Sequence, residues 1–234
     1  MIFITGDFHG GIDANKLNSS HFPQGKHLTK DDYVIVTGDF GIPWYHPTHP
    51  YYRQEQYWLK WISDKPWTTL FIDGNHENFD KLDQYEEISW KSGMIHQITS
   101  SVYHLMRGYV FSINDLSFFT FGGATSIDKH HRKEFISWWK QELPSHAECA
   151  RGMNALDDVG WKVDYVITHC APTFTHTRIH DYYKEDDVTK YLEVLRPALQ
   201  YKYWFCGHYH EDRYMPQEHL QILYHSICDL SLIE

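Results

Sequence analysis

The chain has 234 residues, 42% hydrophobic and 22% charged, values of a globular protein with enough length for one hydrophobic core. Its formal net charge of −10 excludes a sequence-blind grip on long nucleic acid, which needs a basic footprint. A small phosphate substrate stays open, because bound metal reverses the local sign of charge.

In chain order, apolar runs stop at polar clusters. "MIFIT" runs into Gly6-Asp7, "YVIVT" into Gly38-Asp39, "TLFID" into Gly74-Asn75-His76, "DYVIT" into His169, and "YWFC" into Gly207-His208. Runs this short and this rich in Ile, Val, Phe and Tyr read as buried strands. Helical patterns fall between them: 51–64, with Tyr57, Trp58, Trp61 and Ile62 on one side; 79–85, with Asn78 as cap; and 133–142, 147–159 and 188–199. The tryptophans of the first helix read as core. From 102 to 125 the pattern becomes antiparallel strands with Asn114-Asp115 as a turn, and "LQILYHSICDLSLI" reads the same way. Parallel β-α units and antiparallel strands in one chain predict a mixed α/β fold, two sheets packed face to face with helices outside, in a single domain spanning 1–234.

No apolar run approaches a membrane span, and a strand-like start with Asp7 close behind leaves no space for a signal peptide. The cysteines Cys149, Cys170, Cys206 and Cys228 form no CxxC pair and read as reduced, mostly buried thiols. The expected location is the cytoplasm.

Ligands in open α/β sheets sit at the carboxyl ends of strands, so the five polar clusters converge on one rim. Asp7 and His9 are two residues apart; in extended backbone they point to the same side, and His208 and His210 do likewise. Asp39, Asn75 and His169 add two oxygens and a nitrogen. Seven such groups exceed one tetrahedral zinc site and suit two ions sharing a carboxylate. Such a pair clamps the attacking and leaving oxygens of an in-line displacement.

The ordered set "GDFHG", "GDFG", "GNHE", "THCAP" and "GHYH", spread over residues 6 to 210, resembles the calcineurin-like metallophosphoesterases. The resemblance implies a four-layer α/β/β/α fold, a double sheet flanked by helices. It implies that Asp7, His9 and His210 hold one metal, that Asn75, His169 and His208 hold the other, and that Asp39 bridges them together with a hydroxide. His76 would contact the phosphate and protonate the leaving oxygen, a task suited to an imidazolium near neutral pH. The implied cofactors are two divalent ions. Mn is the first choice, and the mixed N/O shell also admits Fe, Zn, Co or Ni.

The match departs from the Ser/Thr protein phosphatases of that family. Ile42 stands where an acidic partner of the general-acid histidine is usual, the following arginine is missing, and Asp73 replaces another arginine. Glu77 or Asp73 is left to orient His76. A phosphodiesterase or nucleotide phosphohydrolase is therefore the expected activity, acting on a phosphorylated small molecule or nucleotide. The alternatives are a phosphomonoesterase or protein phosphatase, and a catalytically inactive scaffold for protein partners.

Three segments are candidates for substrate choice. In 126–135, Lys129, His131 and Arg132 either meet a substrate phosphate or form a solvated helix start. Arg178 either lines the rim or sits in a surface loop. The aromatic, proline-rich 41–52 either walls the pocket and stacks a ring or packs over the core.

Overall fold

A computed structural model describes residues 1–233. The five apolar runs that precede polar clusters are all strands. The chain forms β1 (Ile2–Thr5), β2 (Tyr33–Val36), α1 (Tyr52–Ser63), β3 (Thr68–Phe71), α2 (Phe79–Leu82), β4 (Glu87–Trp90), β5 (Gly93–Thr99), β6 (Val102–Leu105), β7 (Tyr109–Ile113) and β8 (Leu116–Phe121). It continues through α3 (His146–Asp158), β9 (Tyr165–Thr168), α4 (Thr173–Ile179), α5 (Asp187–Leu195), β10 (Tyr203–Cys206), β11 (Arg213–Met215), β12 (Leu220–Ile222) and β13 (Ile227–Asp229).

Two sheets result. One runs β13-β1-β2-β3-β6-β5-β4, the other β11-β12-β10-β9-β8-β7. The pairs β1–β2, β2–β3, β8–β9 and β9–β10 are parallel, so the strands that carry the motifs end on the same side within each sheet. Alternation along each strand divides the core. Ile2, Ile4, Ile35, Leu70, Phe118, Ile167 and Phe205 meet between the sheets. Phe3, Val34, Val36 and Phe71 face the other way, toward Ile62 of α1 and Trp67. Phe119, Phe121, Val166 and Trp204 pack beneath Leu156 of α3 and Val188 and Leu192 of α5. The layers are therefore α/β/β/α, as expected. Burial on both faces is why the strands read as continuous apolar runs rather than alternating ones. Truncating a fully buried member such as Ile35 to alanine costs about 2–5 kcal/mol.

Several local expectations change. Residues 133–142 form no long helix; Phe135 has a left-handed backbone, Phe135 and Ile136 are exposed, and only Lys140–Glu142 makes a short 3₁₀ turn. The chain doubles back there to bury Trp139, whose indole N–H donates to Asp80 Oδ2 at 2.8 Å. The helix expected to reach 199 stops at Leu195, because Pro197 cannot supply an N–H to a further turn. Tyr57 of α1 is exposed, while Ile62 and the carboxylate-bearing Glu55 are buried. The stretch 102–125 is split between sheets: β6 joins β3, while β7 and β8 form a hairpin in the other sheet, with Asn114 and Asp115 both at positive φ in the turn. The last strands split likewise, β12 beside β10 and β13 beside β1. The hairpin β4–β5 falls where the sequence pattern gives no assignment. All four cysteines are free thiols.

Candidate metal centre

The polar clusters at the ends of β1, β2, β3, β9 and β10 meet at the rim where the two sheets come together. Asp7, His9, Asp39 and His210 each bring one ligand atom to within 4.8 Å of one another. On the other side of Asp39, His169 Nε2 lies 3.2 Å from Asp39 Oδ1 and 3.3 Å from Asn75 Oδ1. The His208 ring stands 5.1 Å from that of His169. Asp39 thus faces both groups, its Oδ2 lying 3.3 Å from His9 Nε2.

The way these side chains converge differs from the sequence expectation. His9, Asp39, His208 and His210 all have positive φ, so turns and not extended backbone aim them. Left-handed backbone at non-glycine residues costs energy and concentrates at functional sites. Glycines permit the close approach. A Cβ on Gly74 would fall 2.1 Å from Asp39 Oδ1, and one on Gly207 would fall 2.2 Å from Asp7 Oδ1.

The electrostatics of the cluster call for added positive charge. His169 Nδ1 donates to the Thr37 carbonyl at 2.8 Å, which leaves Nε2 facing two oxygen acceptors. Only a proton or a cation relieves that contact. Asp7 Oδ2 is buried without a hydrogen-bond partner, its near neighbour being His210 Nε2 at 3.4 Å. Burial lowers the His9 pKa, but Asp13 and Asp39 outweigh it and push the value up to about 10. Against the same burial penalty, Asp39 and Asp7 raise His169 to about 9. Burial raises Asp39, yet His169 and His76 hold it well below the usual carboxylate range. Burial and then His169 keep His208 neutral. Carboxylates and imidazoles crowded this way fit divalent cations, which supply the charge that protons otherwise supply.

A supporting layer lies behind the candidate ligands, and the sequence reading missed it. Asp13 Oδ2 accepts from His9 Nδ1 at 2.6 Å, and Asp13 Oδ1 accepts from the Tyr224 hydroxyl at 3.0 Å. The Tyr224 ring stacks on His210 at 4.7 Å. Asn75 Nδ2 donates to Ser126 Oγ at 3.3 Å, and Ser126 Oγ donates to Glu142 Oε2 at 2.6 Å, which turns Asn75 Oδ1 toward His169. The buried Lys16 ammonium donates to the carbonyls of Gly6, Asp7 and Tyr224, tying the β1 loop to the loop after β12; burial lowers its pKa to about 8. Only Asp13 carried a sequence signal, as a carboxylate four residues after His9.

His76 lies beside this group, its ring 5.3 Å from that of His9 and its backbone N–H donating to Asp39 Oδ1 at 2.7 Å. Neither residue left to orient it does so. Glu77 accepts from the backbone N–H groups of Phe40 and Gly41, and Asp73 is bound by Arg107 at 2.8 Å and His104 at 3.2 Å. The partner is Arg132, whose Nη2 lies 2.6 Å from His76 Nε2 while its Nε pairs with Asp128 at 2.8 Å. Burial and Arg132 together hold the His76 pKa down at about 4 in spite of Asp39.

The other candidate substrate contacts lie elsewhere. The Lys129 ammonium rests over the Trp138 ring, His131 packs on His130, and Arg178 sits over Phe174. Of the four, the structure brings Arg132 to His76. Segment 41–52 does both things considered for it. Ile42 is fully buried and Trp44 packs edge-on against Trp139, while Trp44, Tyr45 and Tyr51 wall a cleft of about 420 Å³ that also touches His9 and His76.

A two-sheet sandwich with a histidine–carboxylate cluster at the strand ends defines a candidate metal-binding site. The family profile described as calcineurin-like phosphoesterase matches residues 1–212, and the chain belongs to that family of metal-dependent phosphoesterases. Among curated proteins no match is found. Among solved structures, the chain is similar to a Staphylococcus aureus protein provisionally assigned as a 5′-nucleotidase and solved with α-ketoglutarate. The identity is 15% and the TM-score 0.50, over 95% of this chain and 48% of that one, so the chain spans about half of that protein's length. It is also similar to the phosphopantetheinyl hydrolase of Mycobacterium tuberculosis, at 13% identity and TM-score 0.44 over 95% of this chain and 87% of that one. The likeness to the first is one of fold. Among the described residues no helix is long and apolar enough to cross a membrane.

Proposed function

We propose that this chain, acting as one domain, is a cytoplasmic phosphodiesterase or nucleotide phosphohydrolase that uses two divalent cations. Asp7, His9 and His210 would hold one, Asn75, His169 and His208 the other, with Asp39 shared. The observation that carries the reading is the position of Asp39, whose two carboxylate oxygens face His9 Nε2 and His169 Nε2 at 3.3 and 3.2 Å. Manganese is our first choice. When bound, such cations supply Lewis acidity toward water and toward the phosphoryl oxygens.

The chain's own residues supply the rest. His76 stands at the edge of the cluster; beside Arg132 it is neutral near pH 7 and not the imidazolium expected from the sequence, so it would serve as proton donor only after a substrate phosphate draws Arg132 away from it. Arg132 brings a fixed positive charge to the same place and exchanges its contact with His76 for one with a phosphoryl oxygen when substrate enters. It takes the place of the arginines that the motif lacks. The Asp13 and Ser126–Glu142 contacts hold His9 and Asn75 in one orientation each.

The test is hydrolysis of bis-p-nitrophenyl phosphate and p-nitrophenyl phosphate by the purified chain with added Mn²⁺. Faster turnover of the diester supports the reading. Preference for the monoester moves the activity to phosphomonoesters, and no turnover with Mn, Fe, Zn, Co or Ni overturns the proposal.

A further inference from the structure

We propose that the cleft beside His9 and His76 is a subsite for a planar nucleobase, so that the phosphoester hydrolysed belongs to a nucleotide. This rests on the catalytic reading above and adds the identity of the group attached to phosphorus.

Position gives the first argument. The cleft adjoins the candidate metal centre, since His9 and His76 line it together with Gly10, Gly41, Trp44, Tyr45 and Tyr51. A phosphoryl group at the cluster therefore projects its ester substituent into this space. A volume of about 420 Å³ is within the range of small-molecule sites and has room for a base and its sugar.

The lining gives the second. Tyr51 is 58% exposed, and Tyr45 stacks on His49 at 4.3 Å with the rings 12° from parallel. Tyr51 is thus turned to solvent instead of being spent on the core, while Tyr45 is half-buried with one face covered by His49. Base–aromatic stacking needs such faces and tolerates any base, because every base has a π-face. The amide of Gln54, on the same rim, offers a donor and an acceptor for a base edge.

Rigidity gives the third. Glu55 is buried, and its carboxylate accepts from the backbone N–H groups of Trp44 and Tyr45 at 2.5 and 3.0 Å. Asn78 Nδ2 donates to the Trp44 carbonyl at 2.7 Å. The wall is thus fixed to α1 and to the start of α2, and little ordering entropy opposes binding. A buried carboxylate used to pin a surface loop in this way marks a preorganised wall.

The experiment compares ligands that differ only in the base. Calorimetry on the purified, Mn²⁺-loaded chain would measure Kd for the non-hydrolysable 5′-methylenephosphonates of adenosine, cytidine and ribose. Stacking predicts that a base lowers Kd by roughly 5- to 150-fold relative to the ribose compound. Tyr45→Ala and Tyr51→Ala should each remove at least about fivefold of that gain and leave the ribose Kd unchanged. Tyr57→Ala, an exposed ring on α1 outside the cleft lining, should change nothing. Equal binding of all three ligands, no binding of any, or a base preference that survives both tyrosine variants overturns the subsite. Absence of phosphoester turnover in the assay above overturns the catalytic reading alone, since the Kd ratio is read without turnover.

Discussion

Asp13 Oδ2 lies 2.6 Å from His9 Nδ1, four residues further along the chain. This contact fixes the Nδ1–H tautomer of His9 and presents Nε2 to the cluster, 3.3 Å from Asp39 Oδ2. Removing such a partner of a ligating histidine costs about 10–100-fold in metal affinity. Asp13→Ala should therefore weaken metal binding by about that factor while the far-ultraviolet circular dichroism is kept. Metal content after dialysis and competition with a chelator measure it; parent-like affinity would show that Asp13 gives His9 no support.

Ser126 and Glu142 act on the other side of Asp39. With Ser126→Ala, Asn75 loses the acceptor that orients its amide, 51 residues away in sequence. We expect kcat/KM to fall by about tenfold and the metal stoichiometry to drop toward one per chain. Glu142→Gln keeps a hydrogen-bond acceptor for Ser126 and should retain most activity. Two tightly bound metals in Ser126→Ala would contradict this account of Asn75.

Arg132 differs from the other basic residues once grouped with it. Arg132→Ala should lower kcat/KM by roughly 10–100-fold, the scale of one charged hydrogen bond to phosphate. Lys129→Ala and Arg178→Ala should stay close to the parent, because their charges rest over Trp138 and Phe174. Steady-state kinetics of the three variants decide the point, and a large effect at Lys129 or Arg178 with none at Arg132 would reverse the assignment.

The buried His96 should cost the fold stability in mild acid. Burial, followed by the neighbouring His104, lowers the His96 pKa from its ordinary 6.5 to about 4. The folded chain then binds fewer protons than the unfolded chain between those values, so stability present above pH 6.5 is lost as pH falls toward 4. The neutral His76 and His208 act in the same direction, whereas the carboxyl of Glu77, raised well above its ordinary range by burial and then by Asp39, acts in the opposite one. Urea midpoints at pH 7, 6, 5 and 4 should fall in the parent relative to His96→Gln, the difference growing as pH passes from 6.5 toward 4. A slope unchanged by His96→Gln would remove His96 from the account.

Much of this architecture was legible in one dimension. Ile2 to Thr5 and Tyr33 to Val36 are strands buried on both faces, and such strands must be unbroken apolar runs. The polar letters after them had to leave the core, so Asp7, Asp39, Asn75, His169 and His208 marked the strand ends without any knowledge of sheet order. Less was legible where local pattern and packing disagreed. Residues 133–142 have helix-compatible letters, yet burial of Trp139 beneath α2 bends the chain instead. Asp7 and His9 were paired by an extended-strand argument, whereas a left-handed turn at His9 brings them together.

The sequence by itself determined which polar residues stand at the strand ends, because apolar runs and the polar groups that end them are local properties of the chain. Only the tertiary structure decided what those residues face. Asp39 stands between His9 and His169 because parallel pairing sets β1, β2 and β3 side by side and the second sheet brings β9 against them. Arg132 reaches His76 across 56 residues, and Asn75 reaches Ser126 across 51. Contacts of that range follow from sheet order and the packing of two layers, and no short window of sequence contains either.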